Sequence, residues 1–143
     1  MKIYIGNDHT AVDMKNIIVN HLLEQGYEVV NLGTNNIDSI DYPDYGTAVA
    51  KHVVKEKDAK GIVICGSGIG ISIAANKIQG ARAALCYELE AVQLSRQHND
   101  ANILALGARF IANHKALTLV DEFLKTEFEG GRHQLRVNKL NEI

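Results

Sequence analysis

The segment Cys65-Gly66-Ser67-Gly68-Ile69-Gly70 puts a thiol, a hydroxyl and alternating glycines side by side. Such glycines let the backbone turn tightly and expose its amides, which at a helix N-terminus can hold a phosphate or an oxyanion. The same setting favours a thiolate, the reactive form of cysteine. The spacing is not a dinucleotide fingerprint, because G-x-G-x-x-G needs glycine where Ile71 stands. No Gly-Lys-Ser/Thr follows to make a P-loop. A plain strand-to-helix turn with a core cysteine would use the same letters, so this segment alone leaves the role of Cys65 open. Cys86 closes an apolar run with no glycine loop behind it and reads as core.

Three further clusters carry polar chemistry. Asp8-His9 follows the first apolar run, where Asp8 or Thr10 would equally serve as a helix N-cap accepting a backbone N–H. His98-Asn99-Asp100-Ala101-Asn102 closes a predicted helix. A histidine facing the negative end of a helix dipole suits a proton donor, although a solvated C-terminal histidine has the same spacing. In Gly130-Gly131-Arg132-His133-Gln134-Leu135-Arg136 the arginines fall at i and i+4 and would share a helical face. Two guanidinium forks on one face fit a dianionic phosphate better than point charges do, and a solvated basic helix start is the plainer alternative. Arg109 and His9 are candidates for the same anion site. His21, His52 and His114 lie within helical segments and read as surface residues. No His or Cys pair has zinc spacing and no His-Glu-x-x-His occurs, so no metal is expected.

The elements that must position these groups alternate along the chain. Lys2–Gly6 reads as a strand. Residues from about Thr10 to Gln25 read as a helix with Met14, Ile17, Ile18 and Leu22 inward, stopped by Gly26. Tyr27–Leu32 is a second strand, and Thr34–Asp44 a turn-rich loop holding the single proline, Pro43. A helix from about Tyr45 to Lys57 follows, with Val49, Val53 and Val54 inward. Gly61–Cys65 is a β-branched run suited to a strand covered on both faces, and the glycine segment leads into an Ala-rich helix through Lys77. Ala81–Cys86 and Ile103–Leu106 are the last strands; Glu88 to His98, His114–Leu124 and the tail beyond Gly131 are helical. This order predicts an α/β fold, a three-layer Rossmann-like sandwich on a five-stranded parallel sheet. Residues 1–143 would form one domain, with a C-terminal helical arm from about residue 130. Ligands of such sheets bind beyond the carboxyl ends of the strands, which nominates the segments after strands one, three and four and any arm folding over them.

Composition narrows the classes. The chain has 143 residues, 46% hydrophobic and 22% charged, with a formal charge of −2. That balance argues against a broad nucleic-acid surface. Met1-Lys2 runs straight into a short apolar stretch with the look of no export signal, and no apolar run is long enough to span a membrane. Two cysteines make no disulfide framework, so a reducing cytoplasm is the expected compartment.

Together these blocks resemble ribose-5-phosphate isomerase type B and its sugar-phosphate isomerase relatives. The resemblance runs nearly end to end. It takes in Asp8-His9, Asp41-Tyr42-Pro43, the stretch Cys65 to Lys77, Ser95-Arg96-Gln97-His98-Asn99-Asp100-Ala101-Asn102 and Gly130-Gly131-Arg132-His133-Gln134. It implies interconversion of ribose 5-phosphate and ribulose 5-phosphate without metal or organic cofactor. By position, Cys65 would move the proton between C2 and C1. Ser67 and the amides of Gly66, Gly68, Ile69 and Gly70 would stabilise an enediolate. His98 would assist ring opening with Asp8 and Tyr42 nearby, and Asn99 would hold a sugar hydroxyl. His9, Arg109, Arg132 and Arg136 would grip the phosphate. The resemblance also implies a homodimer, or a tetramer, with the site shared across the interface. Relatives often carry glycine soon after Asp-His, where this chain has Thr10-Ala11-Val12, and many have Thr in place of Ser67. Some use a Glu as base where Ile71 stands, which leaves Cys65 as the base here. A six-carbon sugar phosphate, allose or galactose 6-phosphate, is the alternative substrate. A non-catalytic nucleotide- or anion-binding sensor is the alternative from another class, and it leaves Cys65, His98 and the arginine pair without a shared purpose.

Overall fold

A computed structural model describes every residue from Met1 to Ile143. Strands β1 (Lys2–Asn7), β2 (Glu28–Asn31), β3 (Lys60–Cys65), β4 (Ala83–Leu85) and β5 (Ile103–Gly107) form one sheet in the order β2-β1-β3-β5-β4. Every pairing is parallel. Helices α1 (Val12–Glu24), α2 (Tyr42–Lys55), α3 (Ile69–Asn76), α4 (Leu89–Gln97) and α5 (Asn113–Lys125) connect and cover it, and α6 (Arg132–Asn141) ends the chain. No helix is long and apolar enough to cross a membrane.

Alternation along the strands builds the three layers, since successive side chains point to opposite faces. Ile3, Ile5, Ile62, Ile64, Leu104 and Leu106 face α1, α4 and α5 in one core. Tyr4, Val63, Cys65, Ile103 and Ala105 face α2 and α3 in the other. From β1 the chain passes to β2 on one side and then crosses to β3 on the other. The β1/β3 boundary is therefore the topological switch point, where the connections diverge and leave a crevice. Asp8-His9 and the Cys65 loop are the two segments that leave the sheet there.

Several boundaries differ from expectation. Helix α2 starts at Tyr42 rather than Tyr45, because Pro43 sits in its first turn, where a missing N–H costs nothing. Strand β4 is only Ala83–Leu85, at the sheet edge. Arg82 is drawn away by bonds to the Asp100 carbonyl and the Asn141 side chain. Residues His9–Ala11 make a separate 3-10 turn before α1. Ile17 and Val54, expected inward, are both more than a third exposed. On α1 the inward place belongs to Lys15, whose fully buried ammonium meets the side-chain oxygens of Asn31 and Asn35. Burial without a carboxylate partner holds its pKa below the usual lysine range. His21, read as a surface residue, is half-buried and joins α1 to α5 through Asp121 at 2.8 Å.

Candidate active site

At the carboxyl end of β3, Cys65 pairs in register with Gly107 of β5 and only 5% of its surface is exposed. Its side chain belongs to the apolar cluster under α2 and α3, and its sulfur meets one polar group there. The Gly68 N–H donates to Sγ at 3.2 Å, within the loop predicted to expose amides. Gly68 adopts a left-handed φ of 77°, and a Cβ there would come within 2.9 Å of the Leu106 carbonyl oxygen, so no other residue fits. The Ser67 hydroxyl accepts from the Ile69 N–H at 3.1 Å, which caps the start of α3 and leaves its own hydrogen free to donate outward. Tyr87, just past β4, donates to the Ser67 carbonyl and so pins the loop from behind. Burial, and then the negative charge Cys65 can carry, push the Tyr87 phenol above its ordinary range, which keeps it a donor.

Three more predicted residues converge on this loop. A Cβ on Gly70 would meet the Tyr42 ring at 2.5 Å, and one on Gly66 would meet the Arg109 guanidinium at 3.2 Å. Both large side chains therefore lie directly on the loop backbone. Arg109 also donates its N–H to the Gly66 carbonyl at 2.9 Å, and its side chain forms no ion pair within the chain. Asp8 is anchored through its N–H to the Ile64 carbonyl, one residue before Cys65. Its Oδ1 accepts from the Thr10 N–H and hydroxyl, as a cap should, while Oδ2 bonds nothing within the chain. The Thr10 hydroxyl thus adds a second bond to an oxygen that the backbone N–H already engages. His9 accepts the Ile40 N–H on Nδ1 at 3.2 Å. A nitrogen that accepts carries no hydrogen, so neutral His9 holds its proton on Nε2, ready to donate to an anion.

The remaining candidates lie at the other end of the sheet. His98 is the C-cap of α4, and helices of a parallel sheet run back toward the strands' amino ends. The turn that follows, with Asp100 at a left-handed φ of 46°, is clamped by buried Arg96. That guanidinium donates to Asp100 at 2.8 Å, to the Ala101 carbonyl at 2.7 Å and to the Thr126 carbonyl at 3.0 Å. Helix α6 is tied to the same end by Glu129 N–H to Gln97 and by Gln79 and Arg82 to Asn141. Arg132, Arg136 and Asn99 are exposed there. A six-residue strand advancing about 3.3 Å per residue separates this group from Cys65 by roughly 17 Å. Within one chain, then, Tyr42 and Arg109 lie on the Cys65–Gly70 loop and Asp8 and His9 leave the adjacent strand at the same end of the sheet; His98, Asn99, Arg132 and Arg136 form a second group and do not reach them. Arg109 and His9 do not share an anion site with Arg132 and Arg136 of the same chain.

Sequence reasoning missed the supports. Tyr87 was legible in principle, since it stands immediately after a strand at the ligand-facing end. Glu129 falls four residues before His133, a spacing that brings side chains together on a helical path, and both touch His98. Lys15, Arg96 and Asn7, whose buried amide donates to the Asp8 and Thr34 carbonyls, sit in periodic or loop positions with no signal of their role. Cys86 is in the core as expected, at 3% exposure, with burial raising its thiol pKa.

A thiol that accepts a main-chain amide at the switch point of a five-stranded parallel sheet places the chain among α/β proteins with a ligand crevice at the strands' carboxyl ends. Residues 3–140 match the ribose/galactose isomerase family, and the chain belongs to that family of isomerases. It is 48% identical over 142 residues to ribose-5-phosphate isomerase B of Escherichia coli K12, covering 99% of this chain and 95% of that protein. The structure of Clostridium thermocellum ribose-5-phosphate isomerase B superposes with a TM-score of 0.95 at 52% identity, covering 99% of this chain and 96% of the other. That of the Mycoplasma genitalium enzyme with bound ribulose 5-phosphate gives 0.95 at 45% identity, with 99% and 94% covered.

Proposed function

We propose that this chain interconverts ribose 5-phosphate and ribulose 5-phosphate through an enediolate, in a site completed by a second copy of itself. The observation that carries the reading is the contact of the Cys65 sulfur with the Gly68 amide in a loop overlaid by Tyr42 and Arg109. The relatives named above support the choice of substrate.

The chemistry follows from that arrangement. A thiolate is a weak base for a carbon acid, so the enediolate oxygen must be stabilised as it forms. The Gly68 N–H is taken by Cys65 Sγ and the Ile69 N–H by the Ser67 hydroxyl, so the Ser67 hydrogen and the remaining loop amides would have to serve that oxygen; each donor of this kind typically contributes about 2.7–4 kcal/mol. Cys65 takes the C2 proton and returns it to C1, while the hydroxyl proton on O2 leaves and O1 takes one up, so that the carbonyl moves from C1 to C2. Remote binding energy from the phosphate holds the short carbon chain against the sulfur. His9, with its proton on Nε2, and Arg109 supply part of that grip. Arg132 and Arg136, stranded at the opposite end of their own sheet, supply the rest from the partner, together with His98 for ring opening and Asn99 for a sugar hydroxyl. A closed two-fold dimer with one chain's arm over the other's sheet end would form two such sites at once, because its interface is self-complementary.

A ketose-formation assay on ribose 5-phosphate tests the reading, with allose 6-phosphate in parallel. Turnover should favour the pentose, and solvent deuterium should enter the product at the transferred position. A wild-type chain inactive on the pentose phosphate, or one that moves hydrogen with no exchange under any condition, would overturn it.

A further inference from the structure

His98 does not stand alone. The His133 ring stacks on it with centroids 4.3 Å apart and planes only 12° from parallel. The Glu129 carboxylate lies at the edge of the stack, 3.7 Å from His98 Nε2 and 3.9 Å from His133 Nε2. The three ligand-type atoms fall within 4.8 Å of one another, yet the trio is a poor metal trap. Lone pairs in nearly parallel rings run side by side instead of converging on one ion, and Arg132 and Arg136 share the helix with His133.

What the arrangement does suit is holding a single proton. Two stacked imidazoles this close repel strongly if both are charged, whereas one cation is stabilised by the carboxylate. His133 has only 15% of its side chain exposed against 40% for His98. Burial, and after it His98 and Arg132, depress the His133 pKa, which disfavours the charged form of that ring. Glu129, His133, Arg132 and Arg136 are the charged or titratable groups around the pair; Asp100 is engaged by Arg96 and Arg82.

We infer that Glu129 and His133 are positioning residues for His98, the carboxylate at its Nε2 and the ring stacked on its face together orienting its imidazole for ring opening. The inference rests on the proposed function. As the C1–O4 bond of the furanose breaks, its electrons go to O4, which receives the His98 proton. The C1 hydroxyl releases its proton to water, leaving the open aldehyde, and water reprotonates His98. In this role each acts through its contact with His98.

Ring opening can be read apart from isomerisation, because exchange between the two anomers of ribose 5-phosphate needs only the first. In a Cys65→Ala background, anomer exchange at saturating ribose 5-phosphate is followed by saturation-transfer NMR. Saturation removes any effect of a weaker arginine grip. Adding Glu129→Gln or His133→Ala should slow the catalysed exchange about tenfold, a fraction of the 10²–10⁴ that a positioned acid supplies. His133→Phe, which keeps the stack and cannot carry a proton, should recover most of the loss. Exchange within twofold of the background in both E129Q and H133A would overturn the inference, as would a background protein that adds nothing to the spontaneous rate. Failure of the wild-type chain to form ketose would instead strike the proposed function itself.

Discussion

The two ends of the sheet are built by opposite means. At the carboxyl end the groups around Cys65 are main chain or are held by main chain: the Gly68 amide, the Ile64 carbonyl under Asp8, the Ile40 amide on His9. At the amino end the candidates are exposed side chains, Asn99, Arg132 and Arg136, carried on a turn and a terminal helix that guanidinium and amide side chains tie down. Proton transfer at carbon gains most from dipoles that are already in place when charge develops. Gripping and releasing a phosphate needs long side chains that reach across from outside. On the proposed reading the two ends would divide the work unevenly, with proton transfer at carbon kept to the carboxyl end and the phosphate grip drawn from both, and a second copy would bring the unlike ends together.

The sharpest way to break the contrast is to remove the sulfur. Cys65→Ala should lower kcat about a thousandfold while the chain still folds, with a modest fall in melting temperature because the buried Gly68 N–H loses its Sγ acceptor. Turnover near wild type would show that the carboxyl end does not hold the base. The next test addresses the pairing of ends. Cys65→Ala protein mixed with an Arg132→Ala/Arg136→Ala double variant, after subunit exchange, should form mixed dimers in which one site carries both defects and the other carries none. Half the dimers are then mixed and half their sites intact, so activity should climb from background to about a quarter of wild type. No recovery after demonstrated exchange would mean that each chain completes its own site.

How much of this was legible in the letters depends on what kind of signal each part leaves. The strands showed through their apolar β-branched runs, and the glycine loop through a spacing that only a close backbone approach explains. Asp8, Cys65 and Ser67 were found because they follow strands at the ligand-facing end. Lys15 was missed because its place on α1 depends on two asparagines of a loop far along the chain, which no helical period reveals. The early start of α2 was missed because Pro43 reads as a loop residue unless its place in a first turn is known. The separation of His98 from Cys65 was invisible for a different reason. Motif order says which residues belong together, while only the direction of α4 against the sheet says that one chain cannot join them.

Smaller effects sharpen the amino end. Arg136→Ala should raise KM for ribose 5-phosphate roughly tenfold to a hundredfold with a lesser change in kcat, matching loss of a charged hydrogen bond worth about 1.5–3 kcal/mol. An unchanged KM would remove it from the phosphate grip and leave Arg132 to act alone.

The smallest expected effect concerns stability and pH. His133 is harder to protonate in the folded chain than at the ordinary histidine value of 6.5, first because of its burial and then because of His98 and Arg132. The unfolded chain therefore binds a proton more readily as pH falls below that value, and the folded state loses ground by that difference. His133 thus contributes stability that is present above about pH 6.5 and drains away on acidification toward its lower folded pKa. His133→Phe removes the titration but keeps the stacking ring. The drop in melting temperature between pH 7.5 and pH 5.5 should accordingly be smaller in this variant than in wild type. An equal or larger drop would mean that His133 takes up its proton in the folded state without penalty, and that the stack with His98 is held open rather than closed.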